Sequence, residues 1–192
     1  MVDPKSCQGK EDSELVKLAI DDSSFFYCLM KRYEEKLINY VHRFTYLGDD
    51  DVADIVQESF ISAYKHLNDC DCNLKFSSWL YRIVHNQAIN FMKKNKQSVK
   101  IDVENDDEFV EWLVADTNIE KETIKLHFNE YIKTIINKLK PGYKEVVILK
   151  FFEDKDYSEI SDILQKPMGT VATLLSRAKI QFKQIYEKES KY

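Results

Sequence analysis

Apolar residues recur at intervals of three and four along almost the whole chain, and only 4 glycines and 3 prolines interrupt its 192 residues. A many-stranded sheet needs far more turn chemistry and a period of two, so this pattern selects helices. The predicted fold is all-α. Hydrophobic residues at 44% against 32% charged can bury real cores, which excludes a disordered chain. No run of about 20 apolar residues is present to span a bilayer, and the opening residues lack the apolar core of a signal peptide. No membrane insertion is therefore expected, and the chain is placed in the cytoplasm. In that compartment Cys7, Cys28, Cys70 and Cys72 are expected to be free thiols. Cys70 and Cys72 stand in a loop as C-x-C, but no second pair lies at ligand spacing and the nearest histidine is His66, so no metal is expected.

Net charge is −5, which argues against nucleic acid until it is resolved by segment. Residues 1–95 carry 12 Lys and Arg against 15 Asp and Glu, residues 96–122 carry 3 against 9, and residues 123–192 carry 13 against 9. A mixed first part, an acidic middle and a mildly basic last part point to separate partners. The expectation is two small helical domains, 1–95 and 123–192, joined by a flexible acidic linker over 96–122. The linker holds one aromatic and apolar group, Phe109, Val110, Trp112 and Leu113.

Periodicity divides the first domain into four helices. Glu14 to Ile20 and Phe25 to Tyr46 come first, the latter with Phe26, Leu29, Met30, Tyr33, Leu37, Tyr40, Val41 and Phe44 on one face. A third helix runs from about Asp51 to Leu67, its early aspartates matching the positive end of the helix dipole. Its inward stripe is Val52, Ile55, Val56, Ser59, Phe60, Ala63 and Leu67. A loop from Asn68 to Lys75 precedes a fourth helix, about Phe76 to Lys94, with Phe76, Leu80, Ile83, Val84, Gln87 and Phe91 inward. In the last domain, Ile124 to Leu139 is periodic, Pro141-Gly142 breaks the chain, and a short helix follows to Phe152. Asp156 to Glu159 has capping-box spacing and opens a helix burying Ile160, Ile163 and Leu164. Gln165 to Met168 then connects to a long helix that buries Val171, Leu175, Ala178, Phe182 and Ile185. Two helices joined by about four residues make a helix-turn-helix.

Three surfaces follow. In a helix-turn-helix the second helix enters the major groove, and here its outward residues are Thr170, Thr173, Ser176 and Arg177, with Lys166 and Lys179 beside them. Those groups bond bases and neutralise phosphates, but so few cations make a weak footprint on duplex DNA. The fourth helix carries an outward stripe of Trp79, Arg82, Asn86, Asn90 and Lys93, with Lys75, Tyr81 and His85 nearby. An aromatic ring among cations and amides suits single-stranded DNA, where bases stack and phosphates follow positive charge; the alternative is that Trp79 fills the core. The third helix turns Asp54, Gln57, Glu58, Ile61 and Lys65 outward, which suits docking of a partner helix.

The run Asp51-Val-Ala-Asp-Ile-Val-Gln-Glu-Ser-Phe60, with Phe76-Ser-Ser-Trp-Leu-Tyr-Arg-Ile-Val-His-Asn-Gln-Ala-Ile-Asn90, resembles region 2 of the sigma-70 family. Leu139-Lys-Pro141, Tyr143 to Phe152, Tyr157 to Leu164 and Gly169-Thr-Val171 resemble its region 4. The resemblance covers nearly the whole chain and is to the small extracytoplasmic-function (ECF) group, which keeps only these two regions. It implies a promoter-specificity subunit with no catalysis and no cofactor. Asp54, Gln57 and Glu58 would dock on the clamp of the largest subunit of bacterial RNA polymerase core. The helix from Phe76 would melt and read the minus-ten element of promoter DNA, with a flipped base held within Asn68 to Lys75, and region 4 would read minus-35. An anti-sigma partner that buries one or both domains would fit the group. The chain departs from the pattern at Ala172 and Leu174, where basic residues are frequent, and at Gln165-Lys166, where a glycine and an apolar residue are usual.

Two rival readings use the same residues. A stand-alone helix-turn-helix regulator would bind a palindrome without polymerase. An enzyme would hold a metal on Asp51, Asp54 and Glu58, although no histidine completes that set and no glycine-rich phosphate loop or nucleophile motif is present.

Overall fold

The structure is a computed structural model that describes residues 7–45, 47–70, 75–95 and 133–189. The described residues form eight α-helices and no strand, and they divide into two compact units, drawn mainly from residues before and after position 97. The acidic linker with Phe109 to Leu113, and the start of the periodic segment at Ile124, lie outside the described residues.

The first unit contains α1 (Asp12–Asp21), α2 (Phe26–Phe44), α3 (Asp49–Lys65) and α4 (Phe76–Lys94). A short 3-10 turn, Ser23–Phe25, leads into α2, and the Asp22 carboxylate caps it by accepting from the Ser24 N–H at 2.9 Å. On α2 the expected face is buried from Phe26 through Leu29, Tyr33, Leu37, Tyr40 and Val41 to Phe44, with Met30 half-buried. Three aspartates open α3, where their charge meets the unsatisfied N–H groups. All seven residues of its expected stripe are buried, the last, Leu67, in a 3-10 turn beyond the helix. Ser59 is tolerated in that stripe because its hydroxyl donates to the Ile55 carbonyl at 2.6 Å.

On α4 the inward face differs from the expected one. Ile83, Gln87 and Phe91 are half-buried, while Trp79, Leu80, Tyr81, Val84, His85, Ala88 and Met92 are buried. The helix carries two adjacent apolar stripes, and packing turns inward the one holding the larger aromatic surface. Tyr81 lies 5.0 Å from the Tyr40 ring, and Phe76 bridges Tyr33 at 5.9 Å and Trp79 at 5.8 Å.

The cysteine expectation is corrected as well. Cys7 and Cys28 form a disulfide that joins the segment before α1 to the first turn of α2. Closing that 21-residue separation restricts the unfolded chain by about 3 kcal/mol on the loop-entropy account. The C-x-C pair is only half described, since Cys72 falls outside the described residues.

The second unit contains α5 (Lys133–Lys138), α6 (Pro141–Phe151), α7 (Tyr157–Leu164) and α8 (Met168–Glu189). Pro141 opens α6 at its first position, where a missing N–H costs nothing. Val146, Val147, Ile148, Leu149 and Phe151 are all buried, so α6 is apolar nearly all round and forms the centre of the unit. Along α8 the buried set is Val171, Leu175, Ala178, Phe182 and Tyr186. Ile185, expected inward, is half-buried, because a helical period of 3.6 carries the stripe one residue further by its fifth turn.

Between α7 and α8 the turn is built from backbone outward. Asp156 accepts from the Glu159 N–H at 2.8 Å while Glu159 accepts from the Asp156 N–H at 3.1 Å, a complete capping box. Gln165 then adopts a left-handed conformation, φ 52°, where glycine is favoured. Ser161 holds the turn closed: its carbonyl accepts from the Lys166 N–H at 3.0 Å, and its hydroxyl donates to the Lys166 carbonyl at 2.6 Å. Two outcomes follow for chemical denaturation. Asp156→Ala is expected to destabilise the chain by about 1 kcal/mol through loss of the cap. Gln165→Gly is expected to stabilise it by about 0.5 to 1 kcal/mol by relieving a non-glycine left-handed residue.

Candidate nucleic-acid and docking surfaces

On α3 the buried stripe forces the opposite face outward, and Asp54, Gln57, Glu58 and Ile61 are all exposed. Ile61 is 47% exposed and Tyr64, one turn on, 46%. The Tyr64 ring lies 5.2 Å from that of Phe26, tilted by 60°, so the exposed apolar strip rests on the core and is held in place. Acidic and amide groups thus stand exposed beside a fixed apolar strip on one face of α3. Among the described residues no group of three His, Cys, Asp or Glu side chains comes together as a metal site, and Asp51, Asp54 and Glu58 do not converge.

The outward stripe of α4 is shorter than expected. Asn86, Asn90 and Lys93 are exposed, Arg82 is half-buried, and Lys75 is exposed just before the helix. Trp79, expected outward as a stacking platform, is only 6% exposed and packs on Phe76. His85 is corrected likewise: it is 7% exposed, and its Nδ1 shares a hydrogen bond of 2.9 Å with the Tyr40 hydroxyl. His85 lies on the side of α4 that meets Tyr40 of α2, whereas Trp79 is covered beside Phe76 at the start of the helix.

Beside this surface α1 and the start of α4 enclose a cavity of about 540 Å³, with Val16, Ile20, Asn68, Cys70, Lys75 and Ser77 among its lining residues. Composition and motif spacing did not suggest it, because its walls come from segments some fifty residues apart. The one available signal is Ile20, an apolar side chain left 48% exposed at the end of α1.

On α8, Thr170, Thr173, Ser176 and Arg177 are exposed as expected, with Lys166 and Lys179 half-buried at the margin. The Thr173 hydroxyl donates to the Gly169 carbonyl at 2.7 Å, leaving its oxygen to accept from a ligand. Burial pushes the Glu145 carboxyl up from its usual range, and the Lys166 charge acts against that shift. Ala172 and Leu174 are half-buried on the flanks of the helix. Trp79→Ala is expected to cost about 3 to 5 kcal/mol of stability by leaving a cavity in the first unit; thermal unfolding of the variant checks this, and an unchanged midpoint would return Trp79 to the surface.

The descriptions "Sigma-70 region 2" and "Sigma-70, region 4" match residues 29–98 and 129–182 respectively. Over 164 residues, spanning 82% of this chain and 87% of its relative, the sequence is 33% identical to the ECF RNA polymerase sigma factor SigW of Bacillus subtilis. It is 30% identical to the ECF RNA polymerase sigma-E factor of Haemophilus influenzae over 82% of this chain and 85% of that one. The RNA polymerase sigma-H factor of Pseudomonas aeruginosa is also 30% identical, over 88% and 91%. Among solved structures, CnrH in complex with the cytosolic domain of CnrY superimposes with a TM-score of 0.63 at 19% identity, covering 93% of this chain and 99% of that one. The sigma factor RpoE of Bartonella quintana, in complex with the anti-sigma factor NepR, superimposes at 0.53 and 17% identity over 87% and 97%; these two likenesses carry the fold. With both regions matched in order and relatives of 30% identity or more spanning over four-fifths of it, the chain belongs to the sigma-70 family, in its extracytoplasmic-function group.

Proposed function

We propose that this sigma factor docks on bacterial RNA polymerase core through the exposed face of α3 and reads promoter DNA with α4 and α8. Promoter-specific initiation is the function of the family to which it belongs. The observation that carries the finer reading is the division of α3: a complete buried stripe on one side and Asp54, Gln57, Glu58 and Ile61 together on the other. Residues 1–95 then form region 2, 96–122 the acidic linker and 123–192 region 4. The exposed Asn86, Asn90 and Lys93, with Arg82 and Lys75, face the minus-ten element, where amides bond unpaired bases and cations follow the backbone. The cavity beside Asn68 and Lys75 supports capture of a flipped base there. On α8, Thr170, Thr173, Ser176 and Arg177 meet minus-35 bases, with Lys166 and Lys179 towards phosphate.

The chain carries no catalytic step of its own in this reading and works in the cytoplasm, where its polymerase is. With a net charge of −5 and few cations on α8, free protein binds duplex DNA weakly, and polymerase supplies the remaining affinity. An anti-sigma partner fits the same surfaces, in keeping with the complexes of CnrH with CnrY and RpoE with NepR.

Run-off transcription from a promoter library with bacterial core polymerase tests the whole reading: new sequence-specific transcripts are expected only with this protein present. Replacing Asp54 and Gln57 by Ala together is expected to weaken core binding at least tenfold, about 1.4 kcal/mol, with the thermal midpoint unchanged. Unaltered core binding would remove α3 as the docking face.

A further inference from the structure

We propose that the Cys7–Cys28 disulfide is a reversible redox strap that fixes α1, and with it one wall of the cavity beside the minus-ten surface, so that oxidation strengthens binding of unpaired promoter DNA. The inference rests on the sigma-factor reading above. A protein that works on polymerase works among thiols kept reduced, and a disulfide there is a redox sensor rather than a permanent staple.

Cys28 is 4% exposed on α2 and Cys7 is half-buried, with their Cα atoms 5.6 Å apart. That separation lies where a disulfide closes without backbone movement. The segment between Cys7 and α1 is anchored along one side of α2. Arg32, one turn after Cys28, donates to the Asp12 carboxylate at 2.6 Å and to the Lys10 carbonyl at 2.8 Å, and the Tyr33 hydroxyl donates to Asp12. Gly9, with φ 73°, makes the reversal from Cys7 into α1 that a side chain would strain. The Arg32–Asp12 pair is partly exposed, so water and salt weaken it. The disulfide is the one tie here that chemistry can make and break. What it ties is functional, because Asp12, Val16 and Ile20 face the same cavity as Asn68, Lys75 and Ser77.

Oxidation proceeds by thiol–disulfide exchange with a small disulfide such as oxidised glutathione. The thiolate of Cys7, the more accessible sulfur, attacks the small disulfide, forms a mixed disulfide and expels one glutathione thiolate. The Cys28 thiolate then attacks the Cys7 sulfur and expels the second. Two cysteine thiols lose two electrons and two protons, and one glutathione disulfide becomes two thiols. Excess reduced glutathione reverses both steps.

The test uses the full chain in a Cys70→Ser, Cys72→Ser background, poised in glutathione buffers, quenched, alkylated and weighed. Cys7 and Cys28 are expected to oxidise and reduce together as one two-electron couple. Amide exchange in Asp12–Asp21 is expected to be at least tenfold slower in the oxidised protein and fast in Cys7→Ser under both conditions. With core polymerase and a fork carrying an unpaired minus-ten strand, oxidised protein is expected to bind at least threefold tighter, a difference absent in Cys7→Ser. Thiols that never couple, equal exchange in the two states, or DNA binding that is unchanged or weaker on oxidation would each overturn the strap. Failure to bind polymerase in either state would instead sink the proposed function, while the alkylation and exchange results still decide whether α1 is strapped.

Discussion

The apolar seam along α3 orients the surfaces of the first unit. Val52, Ile55, Val56, Ser59, Phe60 and Ala63 are buried in a continuous stripe, and α3 packs closely along α4. A helix turned by one residue moves its side chains through roughly 100°, which would bury Gln57 or Glu58 without partners and expose Phe60. Burying a charge unpaired costs far more than the seam loses elsewhere, so the register is unambiguous. The exposed acidic and apolar face of α3 is thus a by-product of core packing, held as rigidly as the core itself.

The second unit reaches the same end through backbone chemistry. An almost wholly apolar α6 gives α8 a surface to cover, and the short turn between α7 and α8 is set by the Asp156 capping box and by Ser161 on both sides of Lys166. Fixing the turn fixes the angle of α8, and that angle decides which four polar side chains stand out. The left-handed residue is Gln165 rather than glycine. The helix pair therefore carries some strain, tolerated because hydrogen bonds on either side over-determine the turn.

Much of this was legible in the chain because local periodicity and burial agree. The α3 stripe, the capping box and the exposed set on α8 follow from residue spacing alone. Legibility failed where two choices satisfied the same spacing. On α4 the stripe through Ile83, Gln87 and Phe91 is as periodic as the one through Tyr81, His85, Ala88 and Met92, and only the aromatic rings of α2 select between them. His85 moved inward with that choice, finding in Tyr40 the partner that makes its burial tolerable, while Trp79 is buried separately beside Phe76 at the start of the helix. The cysteines were misjudged for another reason: compartment predicts the average thiol, whereas a disulfide depends on which two sulfurs the fold brings within reach.

By itself the sequence determined an all-helical chain in two parts, the family to which it belongs, and the polar groups exposed on α3 and α8. Those follow from composition, helical period and turn residues, which act over a few positions. Tertiary structure alone decided which face of α4 is inward, that Cys7 meets Cys28, and that α1 closes a cavity beside Asn68 and Lys75. Each of those depends on side chains tens of residues apart competing for the same buried surface, and no local pattern records which of them wins.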